Sequence, residues 1–329
     1  MWLCPLVVVL AACGRLAFEP GDLPSDGPSC PNTSCRSSDC CYSLPVEGGT
    51  FFRGFDGAAD GMYASMANPA TVASFHLDRF EVTVGRFREF VAAGSATQAS
   101  PPAVGAGAHA QITDSGWHAS WNGGLATDTA TLVAALASSC SGMPMMPTDF
   151  VTWTDVPGGN EDRPIDCVSW FEAFAYCSWD GGYLPTAAEL MFAAAGGDEQ
   201  RAYPWSSPPG DMTIDSEHAS FDCLGDGQTG CAVTDLVPVG SNPAGDGRWG
   251  QSDLAGNVAE WVLDWDRGDN IYLNPCDNCA TLTDPGTGSR TVLEGPFDGS
   301  PTEQRSAMMV FQSLPRDRWR NVGFRCARP

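Results

Sequence analysis

Fourteen cysteines in 329 residues constrain this chain more than any other feature. So many thiols would oxidise or scavenge metal in a reducing cytosol, so the pattern points to an oxidising compartment and a fold braced by disulfides. Cys30, Cys35, Cys40 and Cys41 crowd a Pro, Ser and Asp rich stretch, which reads as a tether leading into a small disulfide knot. Zinc is the alternative there, weakened by the lack of a nearby His. Cys223 and Cys231 flank the turn-rich Leu224–Gly230 segment, which a disulfide would close. Cys276-Asp277-Asn278-Cys279 has the spacing of a redox dithiol or of half a zinc site. With no second such pair to complete a zinc site, a tight structural disulfide is favoured there.

The N-terminus accounts for two of the fourteen. Trp2–Ala12 is a short apolar run, too short to span a membrane, and it ends in Leu10-Ala11-Ala12-Cys13. That tetrad resembles a bacterial lipobox, in which the signal is cut before the Cys and the Cys carries the lipid. A plain secretory signal is the alternative. The expected division is a signal peptide over 1–12, a lipidated tether and Cys-rich segment over 13–45, and a folded domain over 46–329. Lipidation of Cys13 and loss of Cys4 with the signal leave twelve cysteines, enough for six disulfides. The expected location is the bacterial cell envelope, extracytoplasmic, with membrane contact through the lipid anchor.

Charge excludes one class of partner. Forty acidic residues face seventeen basic ones, all Arg, for a net charge of −23. Nucleic acid, whose phosphates are bound by clustered cations, is not an expected ligand. Gly and Pro are abundant, so loops should dominate and helices should be short. Three helical windows stand out. Val84, Phe87, Phe90 and Val91 repeat on one face from Thr83 to Ala93. Ser169 with Glu172, and Thr186 with Glu189, form capping boxes that open the second and third. Capping explains these glutamates better than a catalytic carboxylate pair does. Residues 93–143, rich in Gly, Ala and Ser, read as an insertion with little visible chemistry. His76, His109, His118 and His218 have no ligand-like spacing and read as surface or core residues.

A series of short motifs follows in order along the chain. They are Gly48-Gly49-Thr50-Phe51, Phe80-Glu81-Val82-Thr83, Pro164 to Trp170, Tyr176-Cys177, Leu184-Pro185-Thr186, Tyr203-Pro204-Trp205, Leu254 to Trp261, and Gly323-Phe324-Arg325. Taken together the series resembles the formylglycine-generating enzyme, or sulfatase-modifying factor, family over about residues 46–328. The resemblance implies an α+β fold: a single compact C-type-lectin-like formylglycine-generating-enzyme domain with little regular secondary structure. It also implies pairing of Cys177 with Cys326, with Cys140–Cys167 as the next expected bridge.

The family includes copper enzymes that oxidise a sulfatase cysteine to formylglycine, iron enzymes of sulfoxide synthesis, and members without demonstrated activity. The copper type needs two close thiolates in its C-terminal segment, because soft Cu(I) is held by Cys sulfur. Here no cysteine lies between Cys279 and Cys326. Leu293, Glu294 and Pro296 interrupt the segment where the family usually carries Arg-Gly-Gly-Ser and an aromatic, so copper is not the expected cofactor. Met308 and Met309 are the nearby thioethers, more often core fillers than ligands. The Ala255–Glu260 loop resembles a structural calcium site, with Asn257, Glu260 and the backbone of Gly256 and Val258 as oxygen ligands; the alternative is a satisfied buried turn. A second calcium site of the family looks eroded at Ser220, where Asn is usual. Asp264–Asp269 matches an EF-hand loop only weakly and reads as a solvated loop. Two functions stand open: a noncatalytic, calcium-containing envelope module binding a protein or glycan, which the missing thiolates favour, and a protein-modifying oxidoreductase.

Overall fold

The computed structural model describes residues 27–30, 41–95, 97–138, 140, 150–268 and 271–329. Cys4, Cys13, Cys35 and Cys40 lie outside them, and so do the expected signal and most of the tether. Mixed helix and sheet make up one body with few helices, organised around three small sheets. In the first, β4 (Phe75–Asp78) lies between β1 (Ser43–Val46) and β10 (Ala327–Arg328), antiparallel to both. Strands from near the two ends of the domain therefore meet on one central strand. The second sheet joins β2 (Gly49–Phe52), β3 (Pro69–Val72) and β6 (Cys276–Asp277). The third has the order β8 (Met309–Ser313), β7 (Arg290–Leu293), β5 (Ala259–Trp265), β9 (Val322–Gly323). Packed structure thus begins ahead of residue 46: β1 starts at Ser43, and Ser29 N donates to Asp180 Oδ1 at 3.0 Å.

All three expected helices form. α1 (Val84–Ala92) is capped by Thr83 and turns Val84, Phe87, Phe90 and Val91 inward. A fourth helix forms in the expected insertion: Thr129–Ala137 (α2), capped by Asp128, burying Leu132 and Leu136. Its Thr-Ala-Thr-Leu-Val-Ala-Ala-Leu-Ala sequence lacks the polar positions that mark an amphipathic face, so periodicity does not reveal it. α3 (Trp170–Trp179) and α4 (Ala187–Ala194) both begin in complete capping boxes. Each is buried along most of its length, and a helix that is apolar all round belongs inside a core.

The main core packs Phe87, Phe90, Trp170, Phe174, Tyr176, Trp261 and Phe324 around α3. Arg290, 1% exposed, enters this aromatic core between Trp170 and Trp265, its guanidinium carbon 3.6 and 3.7 Å from the two ring centroids. Beside α3 lies a buried quartet with balanced charge. Arg86 binds Asp78 at 3.0 Å and Asp180 at 2.8 Å, while Arg328 binds the same two carboxylates from β10. These pairs tie the first sheet to the end of α3. The Arg328 and Arg86 guanidinium charges hold the Asp78 carboxyl below its ordinary range despite full burial.

Five disulfides close the described structure: Cys30–Cys41, Cys140–Cys167, Cys177–Cys326, Cys223–Cys231 and Cys276–Cys279. Asp264 departs from the expected solvated loop. It is buried in β5, and its carboxylate accepts from Ala187 N at the start of α4 and from Thr281 N.

Candidate functional site

The Ala255–Glu260 loop enters β5 through two left-handed residues, Gly256 at φ 89° and Asn257 at φ 61°. Only glycine fits at 256, since a Cβ there would lie 2.5 Å from Ser220 O. Asn tolerates the left-handed region better than most side chains. The backbone is clipped on both sides: Asn257 N donates to Ser220 O and its carbonyl accepts from Phe297 N, while Gly256 N donates to Gly295 O. The side chains look inward. Glu81 accepts from Asn257 Nδ2 at 2.7 Å and from Val258 N at 3.0 Å. Glu260 accepts from Arg325 Nε at 2.8 and 3.0 Å and is 2.7 Å from its Nη2. Arg325 spends its other donors on the carbonyls of Asp78, Arg79, Ser252 and Asp253.

This loop is therefore the lid of a buried acidic cluster. Glu81, Asp253, Glu260 and Glu294 are all under 9% exposed, and the cation beside them, Arg325, is ion-paired with Glu260. Burial, then repulsion from Asp253 and Glu260, pushes the Glu81 carboxyl well above its ordinary range. Burial, then the Glu260 charge, does the same to Glu294, and Asp253 is pushed up to about 6. One hard oxygen remains free: Asn257 Oδ1 is buried without a hydrogen-bond partner, while the Glu294 carboxyl is in side-chain hydrogen-bond contact with Glu260. Carboxyls that would ionise beside a cation, with the orphaned amide oxygen of Asn257, suit a divalent hard ion such as calcium once their protons leave. Glu260, held by Arg325, would reach such an ion only by loosening that pair. Among the described residues no three His, Cys, Asp or Glu side chains converge as metal ligands. An ion here would accordingly lean on amide and carbonyl oxygens.

A second feature adjoins the cluster through Glu294. A strap from Phe55 to Ala64, closed by a bridge between those two residues, covers the C-terminal segment. Asp56 takes Arg305 Nε and Nη2 at 2.9 and 2.6 Å, and Asp60 takes Nη1 at 2.6 Å. Tyr63 lies under the same guanidinium, 4.7 Å from ring centroid to Cζ, and its hydroxyl contacts Met308 Sδ at 2.8 Å. Met62 Sδ lies 3.7 Å from Arg305 Nη1. What is left beneath is a cavity of about 10 Å³, lined by Met191, Leu254, Leu293, Glu294, Arg305 and Met308 among others. That is room for about one water.

This arrangement does not fit copper held by paired thiolates. Every described cysteine is in a disulfide, Cys326 with Cys177 included. The sulfurs in contact with the Arg305–Tyr63 pair are thioethers.

The other expected residues are elsewhere. Ser220, where the family's second calcium site looks eroded, gives its hydroxyl to Asp235 O at 2.6 Å in a turn contact. Among the histidines His109 is buried. Its Nδ1 accepts from Gln111 N, which leaves the proton on Nε2 to donate to Glu189 Oε1 at 3.0 Å, a carboxylate also bound by Tyr183 OH. Through it the capping glutamate of α4 also anchors the 93–143 segment. Sequence spacing could not have shown the strap's grip on Arg305, the Glu260–Arg325 pair or this anchor, because each joins residues tens to hundreds of positions apart.

Comparison with known proteins agrees with this fold. Residues 30–329 match the FGE-sulfatase family, described as the sulfatase-modifying factor enzyme 1-like domain. The chain is 26% identical to the formylglycine-generating enzyme of Bos taurus, over 95% of this chain and 79% of that protein. It is 29% identical to that of Streptomyces coelicolor, over 90% and 92%. It is also 27% identical to the inactive C-alpha-formylglycine-generating enzyme 2 of Mus musculus, over 91% and 89%. In structure it is similar to PvdO from Pseudomonas aeruginosa, with a TM-score of 0.59 at 20% identity, covering 89% of this chain and 95% of that one. The order of motifs, the fold and the match over nearly all of the described residues place this chain in the FGE-sulfatase family.

Proposed function

We propose that this protein is a lipid-anchored, extracytoplasmic member of the family that serves as a noncatalytic binding or scaffold module for an envelope protein or glycan. The observation that carries the reading is the C-terminal segment. Met308 and the strapped Arg305 occupy it, where a copper enzyme of the family would need two close thiolates. A relative bearing the name inactive shows that family membership and turnover are separable. In this reading Cys13 is the lipidated residue. Calcium is structural, held by Asn257, Glu260 and the backbone oxygens of Gly256 and Val258. It supplies positive charge to a buried site that has too little of its own. A net charge of −23 keeps such a module soluble and away from nucleic acid. The competing reading, a formylglycine-generating oxidoreductase, draws on the names of the relatives.

The two readings differ in metal and turnover. Metal analysis of the purified, oxidised protein, with oxygen uptake followed alongside, should find calcium and no uptake above buffer. Stoichiometric copper or iron with sustained oxygen consumption would restore the oxidoreductase.

A further inference from the structure

The turn between Cys276 and Cys279 is held by contacts other than their bond. Asn278 N donates to Thr71 O at 2.9 Å, Asn278 Oδ1 accepts from Ala73 N at 2.7 Å, and β6 pairs with β3. The disulfide spans a sequence separation of 3, against 149 for Cys177–Cys326, so it saves far less chain entropy. Opening it would thus cost the fold little.

The two sulfurs are not equivalent. Cys276 is 6% exposed, whereas Cys279 is half-buried and borders a narrow cavity with Arg53, Asp264 and Tyr272. Arg53 Nη1 lies 3.8 Å from Cys279 Sγ, and Nη2 is fixed by Leu273 O at 2.8 Å and Asn274 Oδ1 at 2.9 Å. A held guanidinium beside a sulfur favours its thiolate. Of the other charged groups nearby, Asp264 is engaged by Ala187 N and Thr281 N, and Asp277 is exposed on the turn. Arg53 is the charged group in contact with Cys279.

We propose that Cys276–Cys279 is an exchangeable disulfide that accepts electrons from a dithiol on another protein, with Cys279 as the attacked sulfur and Cys276 as the resolving one. A partner thiolate attacks Cys279 Sγ. The S–S bond breaks, and its electron pair leaves on Cys276, which takes up a proton. The second partner thiol, on losing its proton, attacks the partner's own sulfur in the mixed disulfide. Cys279 leaves as a thiolate beside Arg53, the partner becomes a disulfide, and two electrons have moved. Every step is reversible, so the reduced pair can also open a partner's disulfide.

The full chain is treated with stepped dithiothreitol, quenched with iodoacetamide and mapped by mass. Cys276 and Cys279 should be labelled first, with Cys177–Cys326 still bonded and near-ultraviolet circular dichroism unchanged. Labelling of this pair only together with Cys177 and Cys326, or with loss of that signal, would overturn the proposal. Cys276→Ser should trap the thionitrobenzoate adduct of Ellman's reagent at Cys279, whereas Cys279→Ser should trap little at the buried Cys276. The reverse order would refute the assigned roles. In the Cys276→Ser background, Arg53→Gln should slow Cys279 alkylation at pH 7 about tenfold, the effect of a one-unit rise in thiol pKa, and Arg53→Lys should restore it. A rate indifferent to residue 53 would remove Arg53 from the mechanism.

Discussion

Asp166 shows how one buried carboxyl sets a pH dependence. Its Oδ1 accepts from Thr152 N and Oγ1, both at 2.9 Å, while Oδ2 is buried without a partner. Burial pushes its pKa up to about 8, from an unfolded value near 4. The folded state therefore holds the proton more tightly. The stability this gives is fully present below pH ~4, declines as pH rises, and is lost above pH ~8. Asp166→Asn keeps the Thr152 contacts and removes the ionisation, so it should raise the melting temperature more at pH 8 than at pH 5. An equal shift at both, or a loss at pH 8, would show that the carboxyl is not isolated as described. Asn257 calls for a different substitution. Glu260→Ala would strand Arg325 as a buried unpaired charge, at a cost of about 3–5 kcal/mol whether or not an ion binds. Asn257→Gly suits the left-handed backbone and removes only the side-chain oxygen and the Nδ2 contacts with Glu81 and Val237 O. If calcium binds here, it should raise the melting temperature of the wild type, by about 2.7 kcal/mol in stability at a hundredfold excess over its dissociation constant. The rise should shrink in Asn257→Gly; identical curves with calcium and with chelator would exclude the site. The motif residues Asn257 and Glu260 were legible in the sequence. The pairing of Glu260 with Arg325, 65 positions away, was not.

At the scale of elements, legibility follows locality. The capping boxes at Ser169 and Thr186 could be read from four consecutive residues each, and the helices start where those boxes place them. α2 escaped because its alanines carry no periodic contrast, and its register rests on Leu132 and Leu136 packing inward. Nothing local predicts that Arg290 lies between Trp170 and Trp265, or that Asp264 at the end of one strand steadies the start of α4. The bond between α3 and the segment leading into β10 belongs to this scale as well. Cys177–Cys326 closes 149 residues, and by chain entropy it contributes on the order of 4–5 kcal/mol. The double variant Cys177→Ala, Cys326→Ala should lose stability of that order in urea unfolding with its fold retained. A loss under about 1 kcal/mol would mean that the Arg86–Asp180–Arg328 contacts already hold those ends together.

For the whole molecule, the common fold was visible as an ordered series of motifs, each weak alone, spread over nearly the full domain. What sets this chain apart within it came partly from sequence, in the missing cysteines and the Leu293, Glu294 and Pro296 interruption. The rest came only from folding, which brings Asp56 and Asp60 onto Arg305 across about 245 positions and leaves one water's room beneath them. Family architecture is kept, while the segment that carries the Leu293, Glu294 and Pro296 interruption packs beneath a salt-bridged strap beside thioethers and a buried carboxyl. The central proposal is that this protein does not make formylglycine. The direct measurement is incubation of the copper-treated full chain with a peptide carrying the sulfatase cysteine motif, under oxygen with a thiol reductant, scored by the peptide's mass. An unchanged peptide mass, apart from disulfide adducts reversed by reductant, is the predicted result. Conversion of its cysteine to the aldehyde at a rate proportional to protein concentration would contradict the account.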